Sequence, residues 1–435
     1  MTQVPPPHQI LAAGKNFFGS PRFAAALTLT IIGSELGALF LQQLIGWAGL
    51  LGILAVQVLF ASLSILARRE GIEWHGILPI SLLVFVGWAA LSVFWSEYQW
   101  ATLGSVVYLG ATTMLGIYVA LNRDTIQIAR AFGDVLRVAL VLSFALEIFS
   151  GVLIDAPIRF LGIQGNLAEF GPIQGIFGTR NQLGVIALIA IVTFGTELRT
   201  QSVRRGVSIG SLVLAGLLLL LTRSPIAFGS FIIVLVAALA LFGLRRVPAE
   251  SKRFWQIGLL AATITVAAVA WAARTPIINA LSASNELNKR LALWRPMRTL
   301  IPAHELEGWG WVGHWRHDVP PFQIFPNYFD RTPTSGLNAY LDVWFQLGLI
   351  GLFAFVGLVG LTFIRSWLLA SRQRSFVYAW PALVLVALLT TALAESSLLV
   401  EFGWLTFVVC CVKAARELSW RKAFAATGPP RPVEE

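Results

Sequence analysis

The sequence predicts an all-α fold: a polytopic integral membrane protein of about twelve transmembrane helices with a helical extracytoplasmic cap. Three observations carry that expectation. Hydrophobic residues make up 57 % of the chain and charged residues only 12 %, whereas soluble domains are nearer a quarter charged. Mean hydropathy is +0.74. Apolar runs long enough to cross a hydrocarbon layer recur along the chain, each needing about 20 residues at about 1.5 Å per residue. Spans of this kind must be helices, because lipid offers no partner to a free backbone group. The short alternating pattern of barrel strands is absent.

Residues 1–22 are polar and Pro-rich and are expected to be a cytoplasmic tail rather than a cleaved signal, since the first apolar run is long enough to stay as a span. The expected spans are 24–44, 47–67, 77–95, 101–121, 133–153, 182–196, 207–222, 225–243 and 256–273, then 338–364, 377–395 and 401–416. This divides the chain into nine spans within 23–273, a cap loop at 274–337, three spans within 338–416 and a C-terminal tail at 417–435. The sixth span is short, and the seventh and eighth form a tight hairpin around Pro225. The adjacent Cys410 and Cys411 lie in the last apolar run, where packing is the expected role.

The net charge of +10 is scattered between apolar runs, as topology signals are, and does not point to nucleic acid. With both termini in the cytoplasm, 22 of the 32 basic residues fall on inner segments, as the positive-inside rule requires. The outer ten are Arg159, Arg180, Arg223, Arg274, Lys289, Arg290, Arg295, Arg298, Arg316 and Arg331. Seven of these lie in 274–337, together with His304, His314, His317 and four tryptophans. A connection of this length is usually functional.

Three constellations gather on the outer side. Gly175-Ile176-Phe177-Gly178-Thr179-Arg180-Asn181-Gln182-Leu183-Gly184 lets backbone approach a ligand and places a permanent cation at the membrane surface. Thr222-Arg223-Ser224-Pro225 puts an arginine at the hairpin tip, where it is costly unless it meets an anion or water. Lys289-Arg290 through Trp294-Arg295 opens the cap. Arginine's planar fork suits phosphate oxygens bidentately, so a convergence of these side chains would suit a lipid-linked diphosphate. Each has a plainer reading: single outer arginines snorkel to the interface, the tryptophans anchor there, and Glu35 and Glu147, both within spans, serve equally well as buried structural carboxylates.

These residues resemble the O-antigen ligase and O-antigen polymerase superfamily of bacterial membrane glycosyltransferases, including exopolysaccharide polymerases. The likeness rests on Trp88-Ala89-Ala90-Leu91-Ser92-Val93-Phe94-Trp95-Ser96, the Gly175–Gly184 stretch, the Thr-Arg-Ser tip and Arg290 to Trp294. Gly308-Trp309-Gly310-Trp311, Asn338 to Asp342, Gln346 to Gly351 and Glu395-Ser396 complete it, over roughly residues 75–405. The resemblance implies a metal-independent, inverting enzyme without a cofactor, located in the cytoplasmic membrane. It would take a glycan from an undecaprenyl-diphosphate carrier and pass it to a glycan or other acceptor hydroxyl outside that membrane. It further implies Arg223 and Arg290, supported by Arg180 and Arg295, as diphosphate ligands, and Asn338, Asn181 and Trp294 as glycan or acceptor contacts.

The chain departs from the pattern at one position. Ligases of this kind carry a His-Asn pair at the end of the cap, where this chain has Leu337-Asn338. Leucine cannot accept a proton, so the candidate bases become Asp342, one helical turn beyond Asn338, and His314 or His317 in the cap. The missing histidine favours a polysaccharide polymerase over a ligase. A transporter or flippase of an amphiphilic or lipid-linked substrate is the alternative, but no repeat symmetry of the transporter kind is present.

Overall fold

A computed structural model describes residues 7–68, 79–248, 250–273, 276, 284–325 and 332–417. Arg274, Arg331, residues 1–6 of the expected N-terminal tail and residues 418–435 of the expected C-terminal tail lie outside the described residues. The helices are α1 (Pro7–Phe18), α2 (Pro21–Leu36), α3 (Ala38–Ala67), α4 (Ile80–Leu91), α5 (Gln99–Asn122), α6 (Thr125–Ile148) and α7 (Arg180–Thr200). They continue with α8 (Arg205–Thr222), α9 (Pro225–Arg246), α10 (Lys252–Ala272), α11 (Ser284–Leu300), α12 (Ala339–Arg372), α13 (Ala379–Thr391) and α14 (Glu401–Glu417). Among the described residues the fold is all-helical, and extended pairing is limited to one bridge between Ile158 and Ile163.

Seven helices among the described residues are long and apolar enough to cross a membrane: α3, α5, α6 with its extension to Ile154, α7, α8, α9 and α12. The chain is a multi-pass membrane protein. Two further expected spans fall on shorter apolar helices, Ile80–Phe94 and Phe376–Thr391. The first expected boundary has a local cause, since Gly46 (φ 72, ψ 175) interrupts the helical dihedrals inside α3. Only glycine takes such a backbone without strain.

The interior is built from helices that are apolar on every side, as a fully buried membrane helix is. α13 is covered almost throughout, and α14 from Phe402 to Ala414. Polar groups inside this core pair between helices. The Trp380 indole donates to the Thr193 hydroxyl (3.0 Å), Trp404 to Thr113 (2.8 Å) and Tyr118 to Ser64 (3.1 Å). Each such bond contributes about 0.6 kcal/mol on average. Val213, Ile232, Leu239 and Phe353 are exposed on the outside of the bundle, as lipid contact requires. Cys410 and Cys411 are free and buried.

α12 is broken near its start. Gly348 (φ 67, ψ −170) interrupts the helix, and a Cβ there would sit 2.1 Å from the Leu306 carbonyl oxygen. The segment 305–313 lies against the break and satisfies its backbone. Leu349 and Ile350 donate to the Glu305 and Leu306 carbonyls (2.8 and 3.2 Å), while Trp309 and Gly310 donate to Phe345 and Gln346 (3.1 and 2.8 Å). The Gln346 side-chain carbonyl accepts from the Val312 and Gly313 amides (2.8 and 3.0 Å). From the end of α4, the Trp88 indole donates to the Leu347 carbonyl (2.9 Å) and Trp95 to Glu307 (3.1 Å), and Ser92 accepts from the Trp311 amide (3.0 Å). Non-helical backbone at membrane depth survives only when protein partners satisfy it in this way. The Trp88–Ser96 and Gly308–Trp311 motifs are therefore two halves of one brace.

Candidate active site

Four helix starts and turns present the expected site residues. Thr179 caps α7 by accepting from the Gln182 amide (3.2 Å), Ser224 caps α9 by accepting from Ala227 (3.2 Å) ahead of Pro225, and Asn338 caps α12 by accepting from Tyr340 and Leu341 (both 3.0 Å). Each is a good N-cap residue, and proline suits the first helical position. Arg223 closes α8 in the left-handed conformation (φ 47), its amide donating to the Leu220 carbonyl (3.2 Å). The turn ahead of α7 is seated on α6: the Glu147 carboxylate accepts from the Gln174 and Gly175 amides (both 2.7 Å). That is the structural reading of this buried carboxylate. Gly175 (φ 56) has no room for a Cβ, which would lie 2.5 Å from that of Ser143.

These elements meet at Glu395, in the turn after α13. Its Oε1 accepts from the Asn181 amide group (2.7 Å) and from the Arg290 guanidinium (3.1 Å). Asn181 in turn accepts from the Ser224 hydroxyl (2.8 Å), and the Arg290 Nε donates to the Ala394 carbonyl (3.2 Å). A continuous path therefore runs from the hairpin tip through Ser224, Asn181 and Glu395 to Arg290, joining three of the sequence motifs. Arg290 is 7 % exposed and the Glu395 side chain 13 %. The Arg290 charge acts on Arg180 as a like charge from across this cluster. Arg223 and Arg295 are exposed.

A second cluster surrounds the segment 314–317. His314 Nε2 lies 2.9 Å from Glu401 Oε1, and Glu401 holds a left-handed backbone (φ 45). A non-glycine residue in that region is uncommon and is retained where surrounding structure over-determines it. Burial disfavours the His314 imidazolium, but the Glu401 carboxylate, by charge and by hydrogen bond, outweighs burial and raises the histidine above its ordinary value of 6.5. His317 Nε2 lies 2.9 Å from the Pro333 carbonyl, and His304 pairs with Glu307 (3.0 Å) beside the Trp309 ring.

Asp342 does not offer the free carboxylate expected of it. It is fully buried, and its oxygens accept from the Trp315 indole (2.8 Å), the Gln346 amide group (2.8 Å) and the Gly336 amide (3.0 Å). Its carboxylate is thus held by three protein donors away from water. Asn338 is likewise engaged at both ends, since its amide group also donates to the Leu393 carbonyl (2.9 Å). The Trp294 indole donates to the Gly336 carbonyl (2.7 Å). Asn181, Asn338 and Trp294 thus have framework partners where ligand contacts were expected. Leu337 is left-handed (φ 50) and packs with Trp294 and Leu341 around the Leu293–Met297 face of α11.

Sequence reasoning passed over Glu395 and Glu401 as site residues. Glu395 was visible as a carboxylate ending an apolar run, a default functional candidate, but its partners are 105 and 214 residues away in the chain.

Comparison with known proteins returned a match between residues 209–356, about a third of the chain, and the model of the O-antigen ligase family. A search of curated proteins found no match.

Proposed function

From that family match, which is consistent with the O-antigen ligase and polymerase superfamily, we propose that this protein is an inverting glycosyltransferase of the bacterial cytoplasmic membrane. It moves or polymerises a glycan from an undecaprenyl-diphosphate carrier onto an acceptor hydroxyl on the extracytoplasmic side. Both termini face the cytoplasm and residues 274–337 form the cap. The observation that supports this reading most directly is the convergence of Arg290 and Asn181 on Glu395, with Ser224 bonded to Asn181 behind it and Arg180 and Arg223 on the flanking turns. Glu395 holds Arg290 and Asn181 ready. Arg180, Arg223 and Arg290 then meet the charge that grows on the diphosphate as the glycosidic bond breaks, and Arg295 supports them. Donors fixed in advance are worth more than mobile ones because no reorganisation accompanies the reaction.

Acceptor activation falls to His314 in place of the histidine lost at Leu337. With Nε2–H committed to Glu401, Nδ1 carries the lone pair and takes the acceptor hydroxyl proton. The acceptor oxygen attacks the anomeric carbon from the face opposite the diphosphate, which departs with the bonding electron pair. The proton passes from His314 to water. Since the leucine stands where ligases carry their histidine, the polymerase reading is favoured.

Purified protein in lipid nanodiscs, given a lipid-linked oligosaccharide and no ion gradient, is expected to transfer or lengthen the glycan, and Arg290→Ala to abolish this. Movement of the lipid without any new glycosidic bond would replace this reading by the transporter alternative. In cells lacking the protein, accumulation of a single carrier-linked repeat unit supports the polymerase, and a finished chain the ligase.

A further inference from the structure

We propose a glycan-binding groove between the turn joining α4 to α5 and the segment that follows His314. The groove has a volume of about 520 Å³, and its wall includes Glu97, Gln99, Trp100, Arg316 and Val319. That size lies within the roughly 300–1,000 Å³ of small-molecule sites. The inference rests on the transferase reading above and adds to it a place where an acceptor or growing chain is held.

The chemistry of the wall selects the ligand. Trp100 is 85 % exposed and offers an unencumbered indole face. Glu97 and Gln99 are exposed beside it and supply acceptors and a donor. Arg316 is already held by Asp318 through two hydrogen bonds (3.1 and 2.6 Å). Two carboxylates therefore accompany one guanidinium, a balance that repels a phosphate. A neutral polyhydroxylated ring answers each feature: its C–H face stacks on an aromatic side chain, and its hydroxyls both donate and accept.

The groove is also fixed relative to the proposed base. Trp315, between His314 and Arg316, is buried and bonded to Asp342 (2.8 Å). Tyr98, between Glu97 and Gln99, packs on Phe322 (5.9 Å between ring centroids), which packs on Trp315 (5.3 Å). His314 and both walls of the groove thus belong to one packed unit, so a chain seated there keeps a set position relative to the base.

The test uses the full-length protein in nanodiscs and, as probe, oligosaccharides released by mild acid from the envelope polysaccharide of the producing cells. Binding is followed by saturation-transfer NMR, with inorganic phosphate as competitor. The wild type is expected to bind, Trp100→Ala and Glu97→Gln each to weaken binding at least fivefold, and phosphate to leave it unchanged. His314→Ala, which on the transferase reading stops turnover, is expected to bind as the wild type does, so that loss of transfer and loss of binding are read separately. Affinities within twofold of wild type in both groove variants, failure of the wild type to bind, or displacement by phosphate would each overturn the proposal.

Discussion

Arg290 and Glu395 show what single residues contribute. Removing one partner of a shielded charge pair leaves the other without compensation, which costs far more than the pair is worth in water. Glu395→Gln keeps the acceptor oxygen for Asn181 but removes the charge that faces Arg290, so transfer is expected to fall at least about tenfold, a loss of about 1.4 kcal/mol in transition-state stabilisation. A steady-state assay in nanodiscs checks this, and an unchanged rate would remove Glu395 from the site. His314 supplies a pH prediction whose two signs differ. Its value is raised in the folded protein by Glu401 against the effect of burial. The contribution of this pair to stability is therefore complete below 6.5 and is lost as pH rises through the elevated value. Catalysis by the neutral ring has the opposite dependence, and the transfer rate is expected to climb on the alkaline side of 6.5. Glu401→Gln should shift that limb of the pH–rate profile to lower pH. A profile flat across this range would exclude His314 as the base.

At the scale of the element, the broken start of α12 is the feature most sensitive to substitution. Gly348 has positive φ, and its missing Cβ leaves space for the Leu306 carbonyl; Gly308 (φ 73) has the same relation to Gln346 and Gly348, with a Cβ 2.4 Å from backbone atoms. Backbone cannot withdraw as a side-chain tip can. Gly348→Ala and Gly308→Ala are each expected to cost roughly 2–4 kcal/mol, read as a lower thermal midpoint or loss of monodisperse protein. Trp88→Phe removes one hydrogen bond to Leu347 and keeps an aromatic ring. Its cost should be nearer 1 kcal/mol. If the glycine variants prove milder than the tryptophan variant, the brace is misassigned. The pair of half-buried Arg137 and buried Glu197 links α6 to α7, and it answers the same need for partners when charge is placed inside a bundle.

For the whole molecule, the proposed orientation makes a prediction about sidedness. Cysteines introduced one at a time at Arg223 and Arg295 are expected to react with a membrane-impermeant maleimide in intact spheroplasts. Cysteines at Arg204 and Arg374 should react only after lysis, as the positive-inside distribution requires. Labelling in the reverse order would move the proposed site to the cytoplasmic face and end the transfer reading. The groups brought together at one end come from distant parts of the chain, α7, the α8–α9 tip, α11 and the turn after α13. The apolar bundle below them serves as the frame.

Hydropathy alone determined that this is a helical membrane protein, because each apolar run must satisfy its own backbone in lipid whatever its neighbours do. The span boundary near Gly46, the hairpin at Pro225 and the span start at Asn338 are also local, set by residues within a few positions of each other, and they were legible for that reason. The tertiary structure decided the partners. That Glu395 gathers Asn181 and Arg290, that Asp342 reaches Trp315, and that His314 faces Glu401 depend on contacts between residues from 27 to 214 positions apart. No periodicity or spacing encodes such contacts, since the energy that selects them comes from desolvating polar groups together only once the helices have packed.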